Sequence, residues 1–452
     1  MKIKITALLL CIAFLFSGCS FAGVDPQSLM SPPRPTGDKE KIYEVLEQEA
    51  GRDYKLKYPR RGQFRSAIIM DNKGPAVQDE AVVLYQSGEA EDAGITVLFI
   101  GYADGEWRNV GSFTNPATQV DQVQFGDVNG DGVREVIVGW GGSTSGSNEI
   151  CVYAEQDGKV TEMPLERSYS ELVVTDMNGD GFDEIFTAAV TSLDQPASAG
   201  LYRVRSGALE TLGTADLDVE VTRYLAVTPG MINQDQYAIV LDGVKSAGTV
   251  SAYVTEVLYW DKAAQKLEAP FYDPNTGTAN YMRRYTSVVS RDINGDKLLE
   301  IPIVNPLPGY TVPAPDETCY LTNWYRYQNA DDTLERAMST VINSKENYWF
   351  MVPDMWRDKV TVKTDFEARS MTFYEWVPAE ENSQAGAVGA ALLKIQVFTE
   401  EDWGAGSNTA SFTELQRKDN LVYAASIPQP DHALSLLIQD VENSFELSAV
   451  QD

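Results

Sequence analysis

Residues 125–140 read Phe-Gly-Asp-Val-Asn-Gly-Asp-Gly-Val-Arg-Glu-Val-Ile-Val-Gly-Trp, a short acidic loop followed by an apolar strand. Oxygen-bearing groups occupy alternate positions of the loop, the fourth of them a backbone carbonyl: Asp127, Asn129, Asp131, Val133 and Glu135. Alternation turns these oxygens toward one centre, and Ca²⁺ takes six to eight oxygen ligands at about 2.3–2.6 Å. Gly130 and Gly132 allow the positive φ angles of so tight a turn. The stretch therefore predicts a structural calcium loop.

Two further stretches repeat this pattern. The second candidate loop contains Asp176, Asn178, Asp180, Phe182 and Glu184, and the third contains Asp292, Asn294, Asp296, Leu298 and Glu300. Acids packed this closely repel one another unless a cation neutralises them. In the alternative interpretation, the Asp and Asn side chains only cap tight turns through their own backbone. In the third loop Lys297 replaces the second glycine. The sequence thus predicts two to three structural Ca²⁺ ions, whereas the scarcity of cysteine and histidine disfavours Zn²⁺.

The loops mark a repeat of 49 to 61 residues, measured between corresponding acids from Glu80 to Asp296. In each unit a strand leaves the loop, a hairpin follows, and another strand enters the next loop. The hairpin signals are Asp104-Gly105, Asp157-Gly158 and Ser206-Gly207,. Four strands in a unit of about 50 residues are typical of a β-propeller blade. A β-sandwich and a β-helix are the alternative architectures, but the first repeats no acidic loop at fixed spacing and the second has much shorter repeats.

Residues 125–140, 173–187 and 291–304 resemble the FG-GAP or VCBS repeats of integrin α-subunit propellers and of many bacterial surface proteins. The first two contain Asp-x-Asn-Gly-Asp-Gly followed three residues later by Glu. The resemblance covers about 300 residues. It implies a mainly β fold, a propeller of four-stranded blades with calcium loops, and it implies no reaction. The order of the whole chain is also similar to that of repeat-containing lipoproteins of Gram-positive anaerobes.

The repeats suggest that residues 38–345 form the propeller. The segment begins with a short helix predicted near Asp38, with an apolar face and a stop at Gly51,. Residues 346–452 lack acidic loops and are predicted to form a small C-terminal α+β domain. It would end in a helix capped by Asp431, whose apolar stripe runs from Leu434 to Phe445,. The alternative is that these strands supply the closing blades of the ring.

The N-terminus has the features of an export signal. Residues 1–18 combine two lysines, a short apolar run and a Ser-Gly pair before Cys19,. The run resembles the lipobox of bacterial lipoproteins, which implies a signal peptide over 1–18 and lipidation of Cys19. Residues 19–37 are rich in Pro, Ser and Gly and predict a flexible tether,. We therefore expect an extracytoplasmic protein anchored to the bacterial membrane by its N-terminal lipid, with an ordinary secretory peptide as the alternative.

The charge balance limits the partners. The formal net charge is −30, with 36 basic and 66 acidic residues, and removal of Lys2 and Lys4 with the signal makes it −32. Such a chain repels nucleic acid and suits binding of divalent cations. After processing and lipidation only Cys151 and Cys319 remain for redox chemistry. We expect buried free thiols, with a disulfide between them as the alternative.

No catalytic residue stands out in the sequence. His432 is the only histidine, so a Ser-His-Asp or Cys-His enzyme would depend on it alone,. The Gly-rich run at residues 141–146 does not match the Gly-x-Ser-x-Gly elbow,. Paired carboxylates could serve a glycosidase without histidine, but among 66 acids no pair can be singled out,.

Two aromatic clusters, at 320–327 and 348–356, suit either recognition of a ligand or packing of the core,. The anchor, the repeats and the missing catalytic residues lead us to expect a binding or adhesion module for a glycan or protein ligand rather than an enzyme. The alternative is a carbohydrate-active hydrolase or lyase that uses acidic residues in the propeller cleft. A third interpretation is a scaffold within an envelope assembly.

Overall fold

The structure of the protein is a computed structural model. It describes residues 37–71, 80–88, 93–141, 148–156, 158–193, 195–247, 250–310, 319–379, 386–406 and 409–448. The predicted signal peptide, Cys19, nearly all of the tether and most of the Gly-rich run at 141–146 lie outside these ranges. Among the residues within them, no helix has the length and apolar character needed to cross a membrane.

The described chain is mainly β, and its antiparallel strands form six sheets that follow one another along the sequence. Sheet 1 contains β1 (Tyr54–Leu56), β2 (Ile68–Asp71), β3 (Glu80–Ser87), β4 (Ile95–Ala103) and β5 (Glu106–Asn115). Sheet 2 contains β6 (Gln119–Gly126), β7 (Glu135–Gly141), β8 (Asn148–Gln156) and β9 (Lys159–Tyr169). Sheet 3 contains β10 (Glu171–Thr175), β11 (Glu184–Ala189), β12 (Ser198–Arg205) and β13 (Ala208–Asp216).

The other three sheets complete the series. Sheet 4 contains β14 (Val221–Met231), β15 (Tyr237–Ala247), β16 (Val250–Asp261) and β17 (Lys266–Glu268). Sheet 5 contains β18 (Ile301–Pro306), β19 (Tyr320–Gln328), β20 (Thr333–Asn343), β21 (Tyr348–Met351) and β27 (Phe445–Leu447). Sheet 6 contains β22 (Val360–Asp365), β23 (Ser370–Val377), β24 (Ala387–Thr399), β25 (Thr413–Lys418) and β26 (Leu421–Ser426). The helices are α1 (Asp38–Ala50), α2 (Glu400–Ala405) and α3 (Ile438–Ser444), with 3-10 turns at Asn280–Met282 and Asp354–Trp356.

Each sheet packs its faces against its neighbours in the series. In sheets 2 and 3 the second strand, β7 or β11, is buried along its whole length, as expected of strands covered on both faces. The rings of Phe99 in sheet 1 and Tyr153 in sheet 2 lie 5.2 Å apart. The first strands β6, β10 and β14 lie side by side, and so do the last strands β9, β13 and β17. This arrangement, in which corresponding edge strands of successive sheets lie side by side, is propeller-like. It confirms the predicted mainly β class.

Local signals in the sequence act as predicted at several turns. Asp104 and Gly105 both have positive φ, as do Ser206 and Gly207, which matches the two-residue hairpin turns expected there. Helix α1 buries Ile42 with Val45 and Leu46 and ends at Gly51, as predicted.

The predicted boundary at residue 345 is wrong, because it falls inside sheet 5. Strand β21 lies beyond the boundary, yet it pairs with β20 before it, and β27 near the end of the described chain pairs with β21. Sheet 6 then shares a hydrophobic core with sheet 5, where Phe350 and Phe373 have ring centroids 5.1 Å apart.

The helix predicted from Asp431 starts later than expected. Helix α3 begins at Ile438, with Leu437 at its N-cap. The preceding segment is held in turns because Trp356 Nε1 donates to the carbonyl of Leu434 at 2.7 Å and the Leu434 N–H donates to His432 Nδ1 at 3.1 Å. These bonds use the backbone groups that a helix would need.

Candidate functional site

Loop 1 lies between β6 and β7 and is organised around its first acid. The carboxylate of Asp127 accepts hydrogen bonds from the N–H groups of Gly130, Asp131 and Gly132, at 2.8, 3.2 and 2.9 Å. Gly130 and Gly132 have φ angles of 78° and 87°, a conformation in which a side chain would be strained. The turn therefore needs these glycines, as the sequence predicts.

The last acid of loop 1 is buried at the start of β7. Glu135 is 2% exposed, and it accepts from the Val128 N–H at 3.0 Å and from Asn129 Nδ2 at 2.7 Å. Burial, together with the negative charges of Asp131 and Asp127, raises the pKa of Glu135 to about 8. Among the described residues, no lysine or arginine forms an ion pair with Asp127, Asp131 or Glu135. The negative charge of loop 1 is therefore poorly compensated.

Loop 2, between β10 and β11, repeats this geometry. The Asp176 carboxylate accepts from the N–H groups of Gly179, Asp180 and Gly181 at 2.6, 3.1 and 3.0 Å. Asn178 Nδ2 donates to both Asp180 and Glu184. Burial is again the main cause that raises the pKa of Glu184, here to about 7.

Loops 1 and 2 lie against each other. Phe182 of loop 2 is 45% exposed and lies over Gly130 of loop 1. A cavity of about 270 Å³ opens between the loops and is lined by Asn129, Asp180 and Glu184. Solvent and small ions therefore have a route to Asp180 and Glu184 of loop 2 and to the Asn129 amide of loop 1.

Loop 3, between Arg291 and Glu300, keeps the backbone turn but differs in charge. Gly295, Asp296 and Lys297 donate their N–H groups to Asp292 at 2.7, 3.1 and 2.7 Å. Lys297 adopts a φ of 72°, the conformation that glycine provides in the other loops. The terminal acid Glu300 is completely buried, but an arginine from a neighbouring strand, Arg326, is bonded to it.

The donor set of loops 1 and 2 fits a hard divalent cation by composition: two aspartates, an asparagine amide, a glutamate and a backbone carbonyl,. Across the described ranges, no three His, Cys, Asp or Glu side chains are grouped so as to hold a metal by themselves. The acids are separated instead by N–H donors, such as Asn129 Nδ2 between Asp131 and Glu135. A cation would therefore have to draw the carboxylates together around the asparagine and the carbonyl.

A second group of charged residues lies where the first strands of sheets 2 and 3 begin. Arg61 Nε donates to both oxygens of Asp121 at 2.9 and 3.0 Å, and its Nη1 donates to Glu171 at 2.6 Å. Tyr169 Oη donates to Asp121 at 2.6 Å. Burial raises the pKa of Glu171, although the charge of Arg61 opposes the rise. One guanidinium thus holds two carboxylates of neighbouring sheets together.

A further acidic group adjoins the start of β14 in sheet 4. Lys245 Nζ lies 2.7 Å from Asp218, and the two side chains are 2% and 0% exposed. Glu256 accepts from the Asp218 N–H at 2.8 Å and from Tyr224 Oη at 3.3 Å. Burial is the main cause that raises the pKa of Glu256 to about 7, and the charge of Asp218 adds to it. The pKa of Tyr224 is also raised, mainly by burial and partly by the charges of Glu256, Asp218 and Glu171.

These charged groups were missed in the sequence because their members are far apart in the chain. Arg61 and Asp121 are separated by 60 residues, and Arg61 and Glu171 by 110. A usable signal did exist, since Asp121 and Glu171 lie at almost the same offset before the first acids of loops 1 and 2.

Other candidate residues prove to be structural. Cys151 and Cys319 are buried free thiols, as predicted. In the aromatic clusters, Trp324, Tyr348 and Trp356 are fully buried, which confirms that they pack the core, whereas Tyr320 and Tyr325 are half-buried. His432 lies 3.5 Å from Glu375, and neither approaches the charged groups of sheets 2 to 4 within the described contacts.

No family model matches this sequence, and no curated protein matches it. The solved structures with some likeness include an exo-β-1,3-galactanase from Phanerochaete chrysosporium in complex with β-1,3-galactotriose, with 8% identity, coverage of 76% of this chain and 79% of that chain, and a TM-score of 0.26. A Bifidobacterium bifidum protein proposed to be an exo-β-1,3-galactanase has 13% identity, coverage of 65% and 93%, and a TM-score of 0.24. A mannose phosphorylase from Leishmania mexicana has 9% identity, coverage of 78% and 96%, and a TM-score of 0.18.

These findings correct the expectation of a binding or adhesion module that is not an enzyme. The structures with some likeness are those of carbohydrate-active enzymes. Because the TM-scores are far below those of shared folds, the likeness identifies no reaction for this chain. Its activity has to be argued from its own residues.

Proposed function

We propose that this chain is a carbohydrate-active hydrolase that uses Asp121 and Glu171 as its pair of carboxylates. The observation that carries the proposal is the bridge formed by Arg61, which bonds Asp121 through Nε and Glu171 through Nη1. The two acids belong to the first strands of neighbouring sheets, and all three side chains retain some exposure, between 10% and 33%. Hydrolysis of a glycosidic bond requires two carboxyl groups on either side of the bond.

The environments of the two acids suit different roles. Burial raises the pKa of Glu171, and in a glycosidase the general acid is the carboxyl group whose pKa is raised. Asp121 accepts hydrogen bonds from Arg61 and Tyr169, so its oxygens are fixed as acceptors. We assign Glu171 as the general acid and Asp121 as the base or nucleophile.

The surroundings of the pair support a functional site. Asp218 and Glu256 adjoin the start of β14, the strand that lies beside β10, and β10 begins at Glu171. The pKa of Glu256 is raised to about 7, mainly by burial. Ionisable groups with shifted pKa values gather at active sites because acid-base chemistry near neutral pH needs them. Histidine takes no part in this arrangement, in line with its scarcity in the chain.

The test is an assay of the purified protein against polysaccharides, including β-1,3-galactan, with detection of new reducing ends. Glu171→Gln and Asp121→Asn are expected to lower the rate by about 10²-fold or more, the typical contribution of general acid-base catalysis. Glu346→Gln is the matched control, because Glu346 is also paired with an arginine and is 15% exposed against 19% for Glu171. Wild-type rates in both active-site variants would refute the assignment, and unsaturated products would identify a lyase instead.

We also propose that the sheets close into a β-propeller of the FG-GAP or VCBS type, stabilised by Ca²⁺ in loops 1 and 2. Asp127, Asn129, Asp131, Glu135 and the carbonyl of Val133 would hold the ion in loop 1. In loop 2 the corresponding residues are Asp176, Asn178, Asp180, Phe182 and Glu184. The ion would supply positive charge for the acids, and its role there would be structural.

The N-terminal sequence supports the proposal that the enzyme is attached to the outer face of a membrane through a lipid on Cys19,. Such a position would give it access to extracellular polysaccharides. Labelling cells with a fatty-acid analogue is expected to mark the wild-type chain and not Cys19→Ala. Equal labelling of the two would exclude lipidation at this cysteine.

A further inference from the structure

We infer that Arg326 takes the place of a metal ion in loop 3, so that this loop is closed by a protein cation and binds no Ca²⁺. Arg326 Nε donates to Glu300 Oε1 at 2.9 Å, and its Nη2 forms an ion pair with Asp296. These are the acids at the two positions that a bound ion would bridge. The inference depends on the proposed calcium sites only where loop 3 is contrasted with loops 1 and 2.

Strand register shows why loop 3 differs. In sheet 5, Ile301 pairs with Tyr325, which sets Glu300 opposite Arg326. The corresponding pairing in sheet 2, Val136 with Tyr153, sets Glu135 opposite Ala154. The same position therefore holds a cation beside loop 3 and a small apolar side chain beside loop 1.

Loop 2 provides an informative intermediate case. The pairing of Ile185 with Tyr202 sets Glu184 opposite Arg203. Arg203 instead turns to the next strand and bonds Glu210 at 3.0 Å. An arginine at this position thus leaves loop 2 free for an ion, and only in loop 3 does it enter the ring of acids.

Charge and burial make the arginine and an ion mutually exclusive. Glu300 is completely buried, and the Arg326 side chain is 21% exposed. A divalent ion bonded to the same Glu300 oxygen would lie against the guanidinium, where like charges repel strongly in a partly buried site. Lys297 adds another positive charge to the loop backbone. Loop 3 therefore does not fit Ca²⁺, in contrast to the prediction from its acids.

The first test counts the ions bound to the full chain by native mass spectrometry. We expect two Ca²⁺ in the wild type and three in Arg326→Gln, because loss of the guanidinium frees the acids of loop 3. Arg203→Gln is the matched control and should keep two, since Arg203 is bonded to Glu210 and not to the acids of loop 2. Three ions in the wild type, or no gain in a folded Arg326→Gln chain, would overturn the inference.

The second test does not depend on stoichiometry, and its main comparison uses the wild type alone. Hydrogen exchange of the wild type in excess chelator should leave the amides of Gly295 and Lys297 protected, because Arg326 still holds loop 3. In the same sample Gly130 and Gly132 should lose protection as loop 1 loses its ion. If loop 3 is protected only when Ca²⁺ is added, Arg326 is not its cation. If the wild type binds no ion, the calcium proposal fails, but the role of Arg326 can still be tested. In that case the amides of loop 3 should be less protected in Arg326→Gln than in the wild type, and equal protection would exclude the role of Arg326.

Discussion

The backbone of Asp127 in loop 1 and residue Asp183 in loop 2 exchange two hydrogen bonds. The Asp127 N–H donates to Asp183 Oδ2 at 3.1 Å, and the Asp183 N–H donates to the Asp127 carbonyl at 2.9 Å. The next strand adds a third link, from the Val204 N–H to the Val128 carbonyl at 2.8 Å. The two candidate metal loops are therefore parts of one hydrogen-bonded unit.

This link predicts that the loops bind Ca²⁺ cooperatively. Asp183 is not a proposed ligand, but Asp183→Ala removes the acceptor that positions the backbone of Asp127. We expect the affinity of loop 1 to fall by about fivefold, since one hydrogen bond contributes about 1 kcal/mol. Calorimetric titration measures the change, with Asp235→Ala as a control in a loop without the acidic pattern. Unchanged affinity in Asp183→Ala would mean that the loops act independently.

Removal of the ions should lower thermal stability. A ligand that binds only the folded state stabilises it by about 2.7 kcal/mol when its concentration is 100 times Kd. The wild type is therefore expected to melt several degrees lower in excess chelator than in millimolar Ca²⁺, and the shift should be smaller for Asp127→Asn. Scanning calorimetry tests this, with Mg²⁺ as the control ion. Identical melting curves with and without chelator would rule out structural calcium.

The buried ion pair of sheet 4 should be essential for stability. Lys245→Met leaves the completely buried carboxylate of Asp218 without its cation, and an uncompensated buried charge costs about 3–5 kcal/mol. The comparison is Lys266→Met, which removes an exposed pair with Glu268 at the similar distance of 2.6 Å. Urea unfolding should show a large loss of stability in the first variant and almost none in the second. Equal effects would show that burial does not set the strength of the pair.

Glu256 should make the protein less stable as pH rises. Burial raises the pKa of Glu256 from 4.5 to about 7, so between these pH values the folded state binds the proton that the unfolded state has lost. Stability therefore decreases from pH 4.5 to 7 and is constant above it, with a total change of roughly 3 kcal/mol. Glu256→Gln should remove this slope.

The measurement is urea unfolding at pH 5 and pH 8 in saturating Ca²⁺, which keeps the acids of loops 1 and 2 occupied. The variant should gain stability relative to the wild type at the higher pH. Glu335→Gln, at an exposed glutamate of sheet 5, is the control and should run parallel to the wild type. Parallel curves for Glu256→Gln as well would show that another group dominates the pH dependence.

Features encoded by neighbouring residues were predictable from the sequence. The hairpins at Asp104-Gly105 and Ser206-Gly207 follow from turn chemistry, which acts within a few residues. The wrapped backbone of loop 1 likewise follows from Asp127 and its two glycines. The mainly β class follows because such local signals recur along most of the chain.

Features that depend on distant residues were not predictable in the same way. Nothing near Glu300 in the sequence indicates that Arg326 lies beside it, because strand register brings the two together. The hydrogen bond from Trp356 to Leu434 joins residues 78 positions apart, and it holds the segment before α3 in turns rather than in the helix. The bridge from Arg61 to Glu171 joins residues 110 positions apart, and nothing near Arg61 in the sequence indicates its two partners.

Sheet 5 also has a topological consequence. Its fourth strand, β21, is followed by the whole of sheet 6 before β27 returns to pair with β21. Sheet 6 is thus an insertion between two adjacent strands, and both of its ends are anchored in the same host. Neither sheet can detach without disturbing the other, so they should unfold as one cooperative unit, and removal of β27 would loosen both sheets.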